Sequence, residues 1–169
     1  MGGADAVTLA IIADTHMPRG ARALPERCLQ LLSAADLIVH AGDFSERSVL
    51  ERLRAIGPVI AVHGNVDSPE VRRELPATVS FEAGGAEIAV IHDAGPARGR
   101  VERLRARFPD ADAVIFGHSH LPLLESRDGF QIFNPGSPTE RRRAPGHTMG
   151  IASAGPAPGS LRFQHVELA

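Results

Sequence analysis

Three short apolar runs in the first 65 residues leave this chain few folds to adopt. "VTLAIIAD" (7–14), "DLIVHAGD" (36–43) and "GPVIAVHGN" (57–65) are strand-length and almost continuously apolar, the pattern of a strand covered on both faces. Two stretches of helical period lie between them. "LPERCLQLLSAA" (24–35) puts Leu24, Cys28, Leu31 and Leu32 on one face, and "SERSVLERLRAI" (45–56) carries Val49, Leu50 and Leu53 behind Ser45 as an N-cap. Strand–helix–strand–helix–strand at this spacing implies right-handed crossovers and a parallel sheet.

The second half reads differently. "TVSFEAGGAEIAVIHD" (78–93) predicts a β-hairpin turning at Gly84-Gly85. A helix is expected over 99–108, then the strand "ADAVIFGHSH" (111–120). A second hairpin spans 121–137 with its turn at Asp128-Gly129, and a terminal hairpin spans 147–169. The sum is an α/β or α+β sandwich with mixed sheets. At 169 residues the chain is expected to be one domain, 1–169.

Charge narrows the function classes. A net charge of −2 and a pI near 6.4 argue against stable nucleic-acid binding or an anionic membrane surface. All 18 basic residues are arginine, which reads as coding bias. The single cysteine, Cys28, excludes an internal disulfide, and its apolar neighbours suggest a buried thiol. "MGGADAVTLAIIAD" has no basic leader and too short an apolar run for a signal or a membrane span, so a cytoplasmic protein is expected.

The chemistry sits where the strands stop. Asp14 and His16 end the first, Asp43 the second, Asn65 the third, His92 the hairpin strand, and His118 and His120 the last. The carboxyl ends of strands form the ligand-binding edge of α/β sheets. Within a strand, residues two apart share a face, so both imidazoles of "HSH" can address one object. Singly, these features more often cap or turn a chain. Together, seven oxygen and imidazole donors exceed the need of one tetrahedral ion and suit two divalent ions sharing a carboxylate. A mixture of oxygen and imidazole donors without thiolate favours Mn²⁺, Fe, Ni²⁺ or Zn²⁺ over Ca²⁺ or Cu⁺, with Mn²⁺ taken as the first expectation.

"DTH", "GD", "GNVD", His92 and "GHSH", in that order over 14–120, resemble the calcineurin-like metallophosphoesterases, specifically their small bacterial and archaeal phosphodiesterase branch. "NPGSPTERR" (134–142) is similar to the closing segment of that branch. The resemblance implies a four-layer α/β/β/α sandwich with two mixed sheets. Carried across, Asp14, His16, Asp43 and His120 would hold one ion, and Asp43, Asn65, His92 and His118 the other. It further implies hydrolysis of a small phosphodiester by a hydroxide held between two metals, with no covalent enzyme intermediate. A homodimer is compatible with it, since small members of such a family often pair.

Two positions depart from the family. Val66 stands where the family carries a histidine that helps protonate the leaving group, and a valine side chain can exchange no proton. That favours diesters with good leaving groups. Asp67, the usual partner of that histidine, is expected to support the ligands from behind. Asp93 replaces a common glycine after His92 and is read as a turn. Arg19 is a candidate for a bidentate phosphate contact, Arg141–Arg143 read as a solvated charge run, and Asn134 and Ser137 as braces of the ligand edge. His40 and His63 read as core or supporting histidines. A phosphomonoesterase using the same metals is the alternative enzyme, and a metal-binding interaction scaffold, like the retromer subunit that resembles this family, the alternative outside enzymes.

Overall fold

Period-two alternation places the two faces of the first strand in different cores. In β1 (Val7–Ile12) Leu9 and Ile11 enter one buried cluster while Ala10 and Ile12 enter another. The computed structural model describes residues 6–168 apart from 19 and 21; Arg19 therefore lies outside the described residues. Strand β1 pairs in parallel with β2 (Leu37–His40), and β2 with β3 (Val59–Ala61). The other edge of β1 takes β9 (His147–Ala154), which pairs with β10 (Arg162–Leu168), both contacts antiparallel.

A second five-stranded sheet has the order β4-β5-β6-β8-β7. Hairpin β4 (Thr78–Ala83) and β5 (Ala86–Ile91) leads to β6 (Ala113–Ile115), and hairpin β7 (Leu123–Arg127) and β8 (Phe130–Asn134) completes it. Strands β5, β6 and β8 run parallel. Leu9, Ile11 and Val39 of one sheet meet Ile88, Val90, Ile115 and Phe133 of the other in a shared core.

Helices cover both outer faces. Helices α1 (Glu26–Ala34) and α2 (Arg47–Ile56) bury Cys28, Leu32, Val49, Leu50 and Leu53 against the first sheet, joined by Val71 of α3 (Pro69–Glu74). Helix α4 (Arg100–Arg107) packs Val101 and Leu104 onto Ala89, Val114 and Ile132 of the second. The result is an α/β/β/α sandwich, as the resemblance implied.

Three local expectations need correction. Ser45 does not cap α2: Glu46 holds the N-cap position without a side-chain hydrogen bond. Ser45 instead has φ 86° and donates its N–H to Asp67 Oδ1 at 2.9 Å. Helix α3 has no counterpart among the sequence expectations; it starts at the Ser68 cap, whose Oγ accepts from Val71 N, with Pro69 next. Finally, the strands end early, at Ile12, His40, Ala61 and Ile115. The "HSH" histidines are loop residues.

Candidate metal centre

Strands end early because the residues after them need backbone that a sheet does not permit. Asp14, His16, Asp43, His118 and His120 all have φ between 45° and 75°, a region L residues seldom occupy, at a cost of about 1–3 kcal/mol each. They are five of the eight non-glycine residues with positive φ among those described. Hydrogen bonds hold them there. Asp14 N–H donates to Gly42 O (2.9 Å) and His16 N–H to Asp43 O (3.0 Å), while His118 N–H donates to Asp14 Oδ2 at 3.0 Å.

The folded chain gathers the predicted donors into two adjacent trios. Asp14, His16 and His120 form one, and Asp43, His92 and His118 the other, the donor atoms of each lying within 4.8 Å of one another. The neighbouring histidines thus split: His120 joins the first trio and His118 the second. Asp43 Oδ2 lies 3.6 Å from His16 Nε2 and 3.1 Å from His92 Nε2, so one carboxylate oxygen faces both trios. Asn65 Oδ1 joins the second at 3.1 Å from His92 Nε2.

Hydrogen bonds behind the imidazoles orient them. His92 Nδ1 donates to Ala41 O (2.8 Å) and His120 Nδ1 to Glu140 O (2.5 Å). In each, Nε2 then faces the centre, the tautomer a metal-binding histidine requires. Asp14 Oδ1, His16 Nε2 and His120 Nε2 are buried without a hydrogen-bond partner among the described residues. Each orphaned polar atom costs about 1–3 kcal/mol, and one divalent ion relieves all three. The donor set fits a metal.

Electrostatics agree. Burial pushes the Asp14 carboxyl up to about 7 against the opposing charge of His92. Burial acts the same way on Asp43, but the His92 hydrogen bond and charge override it and leave Asp43 below the usual carboxylate range. His92 feels the converse: burial pulls it down, and its contacts with Asp43 and Asp14 raise it overall. Burial lowers His16, and lowers His120 to about 4. The two imidazoles of the first trio therefore stay neutral and Asp14 resists bearing an uncompensated charge, which suits an external cation.

Supporting residues surround the donors. Asp67 Oδ2 accepts from Asp43 N (3.0 Å) and Gly64 N (2.6 Å). Val66 turns its side chain outward, 42 % exposed, while its N–H donates to Asp43 Oδ1 at 3.0 Å. His40 is fully buried and held near 3 by that burial; Nδ1 accepts from Gly42 N (3.0 Å), leaving Nε2 to donate to Thr15 Oγ1 (3.1 Å). Asp93 Oδ1 accepts from Gly95 N (2.8 Å), the expected turn, and its other oxygen stands 4.0 Å from His118 Nε2. Asn134 donates to Gly117 O (3.1 Å), and Ser137 Oγ to Asp14 O (2.8 Å).

Residues 7–155 match the calcineurin-like phosphoesterase superfamily domain. The chain belongs to that superfamily. A probable metallophosphoesterase of Methanothermobacter thermautotrophicus is 34% identical to this phosphoesterase over 136 residues, covering 79% of this chain and 78% of the relative. Phosphodiesterase YfcE of Escherichia coli K12 is 31% identical over 152 residues, covering 76% and 78%. Among solved structures, Vacuolar Protein Sorting 29 from Cryptosporidium parvum shares the fold, with a TM-score of 0.77, 20% identity, and coverage of 98% and 99%. The family is metal-dependent, and the two trios are the candidate metal sites of this chain.

Sequence reasoning overlooked one side chain at this centre. Glu140 lies in the "NPGSPTERR" segment, and its Oε2 stands 3.8 Å from His16 Nε2 while Arg22 grips Oε1 at 2.9 Å. Its neighbours Arg141–Arg143 are exposed, as expected of a charge run. A cavity of about 260 Å³ opens beside Asn65 and His92, lined further by His63, Arg72, Ile91 and Arg107. No helix of the described residues is long and apolar enough to cross a membrane.

Proposed function

We propose that this phosphoesterase is a phosphodiesterase acting on small phosphodiesters at a dinuclear centre. Asp14, His16, Asp43 and His120 would hold one ion, and Asp43, Asn65, His92 and His118 the other. Asp43 carries this reading, because its Oδ2 lies within 3.6 Å of an imidazole nitrogen of each trio. Two divalent ions held by these residues would supply Lewis acidity toward both oxygens of a P–O displacement and bring the pKa of water toward about 7. The mixed oxygen and imidazole donor set without thiolate suits Mn²⁺, Fe, Ni²⁺ or Zn²⁺, of which we take Mn²⁺ first.

The protein's own residues then orient and select. Asp67 and the Val66 N–H fix the Asp43 carboxylate. Arg72 and Arg107 line the cavity beside His92 and attract an anionic substrate. With Val66 exposed where a proton donor would serve the leaving group, diesters that expel a weakly basic alcohol react best. The phosphodiesterase name of a relative 31% identical to this chain supports the diester over the monoester.

The test compares Mn²⁺-dependent hydrolysis of bis-p-nitrophenyl phosphate and p-nitrophenyl phosphate by the wild type and Asp43→Ala. The expected result is faster diester turnover, lost by at least about 10²-fold in the variant. Equal rates in the two proteins would overturn the enzyme reading and leave a binding scaffold; preference for the monoester would replace the diesterase with a phosphomonoesterase.

A further inference from the structure

We infer that Glu140 is an additional metal ligand, which closes the coordination of the first ion. This rests on the two-ion reading above. Three carboxylate oxygens approach the same unpartnered His16 Nε2: Asp43 Oδ2 at 3.6 Å, Glu140 Oε2 at 3.8 Å and Asp14 Oδ1 at 3.9 Å. Metal–donor bonds of about 2.0–2.2 Å place the donors of one ion roughly 3–4 Å apart. Measured to His16 Nε2 alone, Glu140 stands as near as the two aspartates taken to bind, and its Oε2 also lies 3.9 Å from His120 Nδ1.

The backbone under Glu140 is tied to the backbone of the first ligands. Ser137 Oγ donates to Asp14 O (2.8 Å) and accepts from Glu140 N (2.9 Å), and Thr139 Oγ1 donates to Thr15 O (2.7 Å). The Glu140 carbonyl takes the His120 Nδ1 proton, so one residue orients a ligand through its main chain and faces the same trio with its carboxylate. Arg22 engages Oε1 and leaves Oε2 turned toward His16. In the metal-free protein Arg22 is thus the counter-ion that a bound cation would relieve. A third carboxylate hardens the first site, favouring Mn²⁺ over Zn²⁺ there.

Calorimetric titration of chelator-stripped full-length protein with Mn²⁺ tests this, using Glu140→Gln and Arg22→Ala. Glu140→Gln keeps the main-chain bonds and is expected to weaken one of two binding events by about 10–100-fold, and to alter the visible d–d spectrum of protein loaded with Co²⁺. Arg22→Ala removes a competitor and is expected to leave that event unchanged or tighter. Equal weakening by both variants would reduce Glu140 to a salt-bridged brace and overturn the inference, as would an unchanged affinity and Co²⁺ spectrum in Glu140→Gln. Should Glu140→Gln fold poorly, Glu140→Asp serves, with a shorter reach and the same direction of effect. A wild type that binds no metal refutes the two-ion reading itself, an outcome distinct from either of these.

Discussion

The two trios share a carboxylate yet differ in almost every other respect. Asp14, His16 and His120 are buried, and three of their donor atoms lack a hydrogen bond among the described residues. The second trio ends in His118, whose side chain is 46% exposed and whose Nε2 faces the exposed Asp93. Behind the first lies the 137–140 segment; beside the second lies the arginine-lined cavity. An ion held by the first trio would be enclosed by protein, whereas one held by the second would keep an open side. We expect the first to bind tightly and hold shape, and the second to exchange and meet substrate.

The largest perturbation should erase the distinction. A Cβ at Gly64 would stand 2.6 Å from Asp43 N and nearer still to its carboxylate. Gly64→Ala therefore displaces the shared ligand, and we expect both ions lost and stability lowered by about 3 kcal/mol, read by metal analysis and urea unfolding. Next comes the contrast itself. His120→Ala should weaken the tighter Mn²⁺ event by about 100-fold or more, and His118→Ala only the weaker event, by about 10-fold. Titration calorimetry that finds equal effects would dissolve the difference between the sites.

The smallest effect concerns protons. Asp14 titrates at about 7 in the folded protein and near 3.9 when unfolded, so the native state binds the extra proton and loses stability as pH rises from about 4 to 7. In metal-free protein, Asp14→Asn should thus be more stable than wild type at pH 8, and no more stable at pH 4. Denaturant midpoints at the two pH values check this, and the reverse order would show that Asp14 ionises freely.

Much of this was legible because the central strands are covered on both faces, so 9–13, 37–39 and 113–116 are unbroken apolar runs. Their true ends were not, since the ligands leave the ladder for left-handed backbone that no apolar pattern encodes. Ser45 looked like a cap because its type suits one; its N–H is spent on Asp67, 22 residues away. Helix α3 has six residues, too few to show a period, although Ser68-Pro69 is a start signal that could have found it. The donors were legible as residue types following strands, but their division into trios depends on how the two sheets face one another. Glu140 carried no local signal: it meets His16 across 124 positions, and only the closed sandwich brings them together.

That closure has a consequence for how the protein matures. During synthesis, every donor through His120 leaves the ribosome before Glu140, and before β9, which flanks β1. A nascent chain can display the whole "DTH" to "GHSH" series and still lack the wall that shapes the inner pocket. If the proposed inner cation binds there, its loading would be a late event, awaiting the final third of the polypeptide.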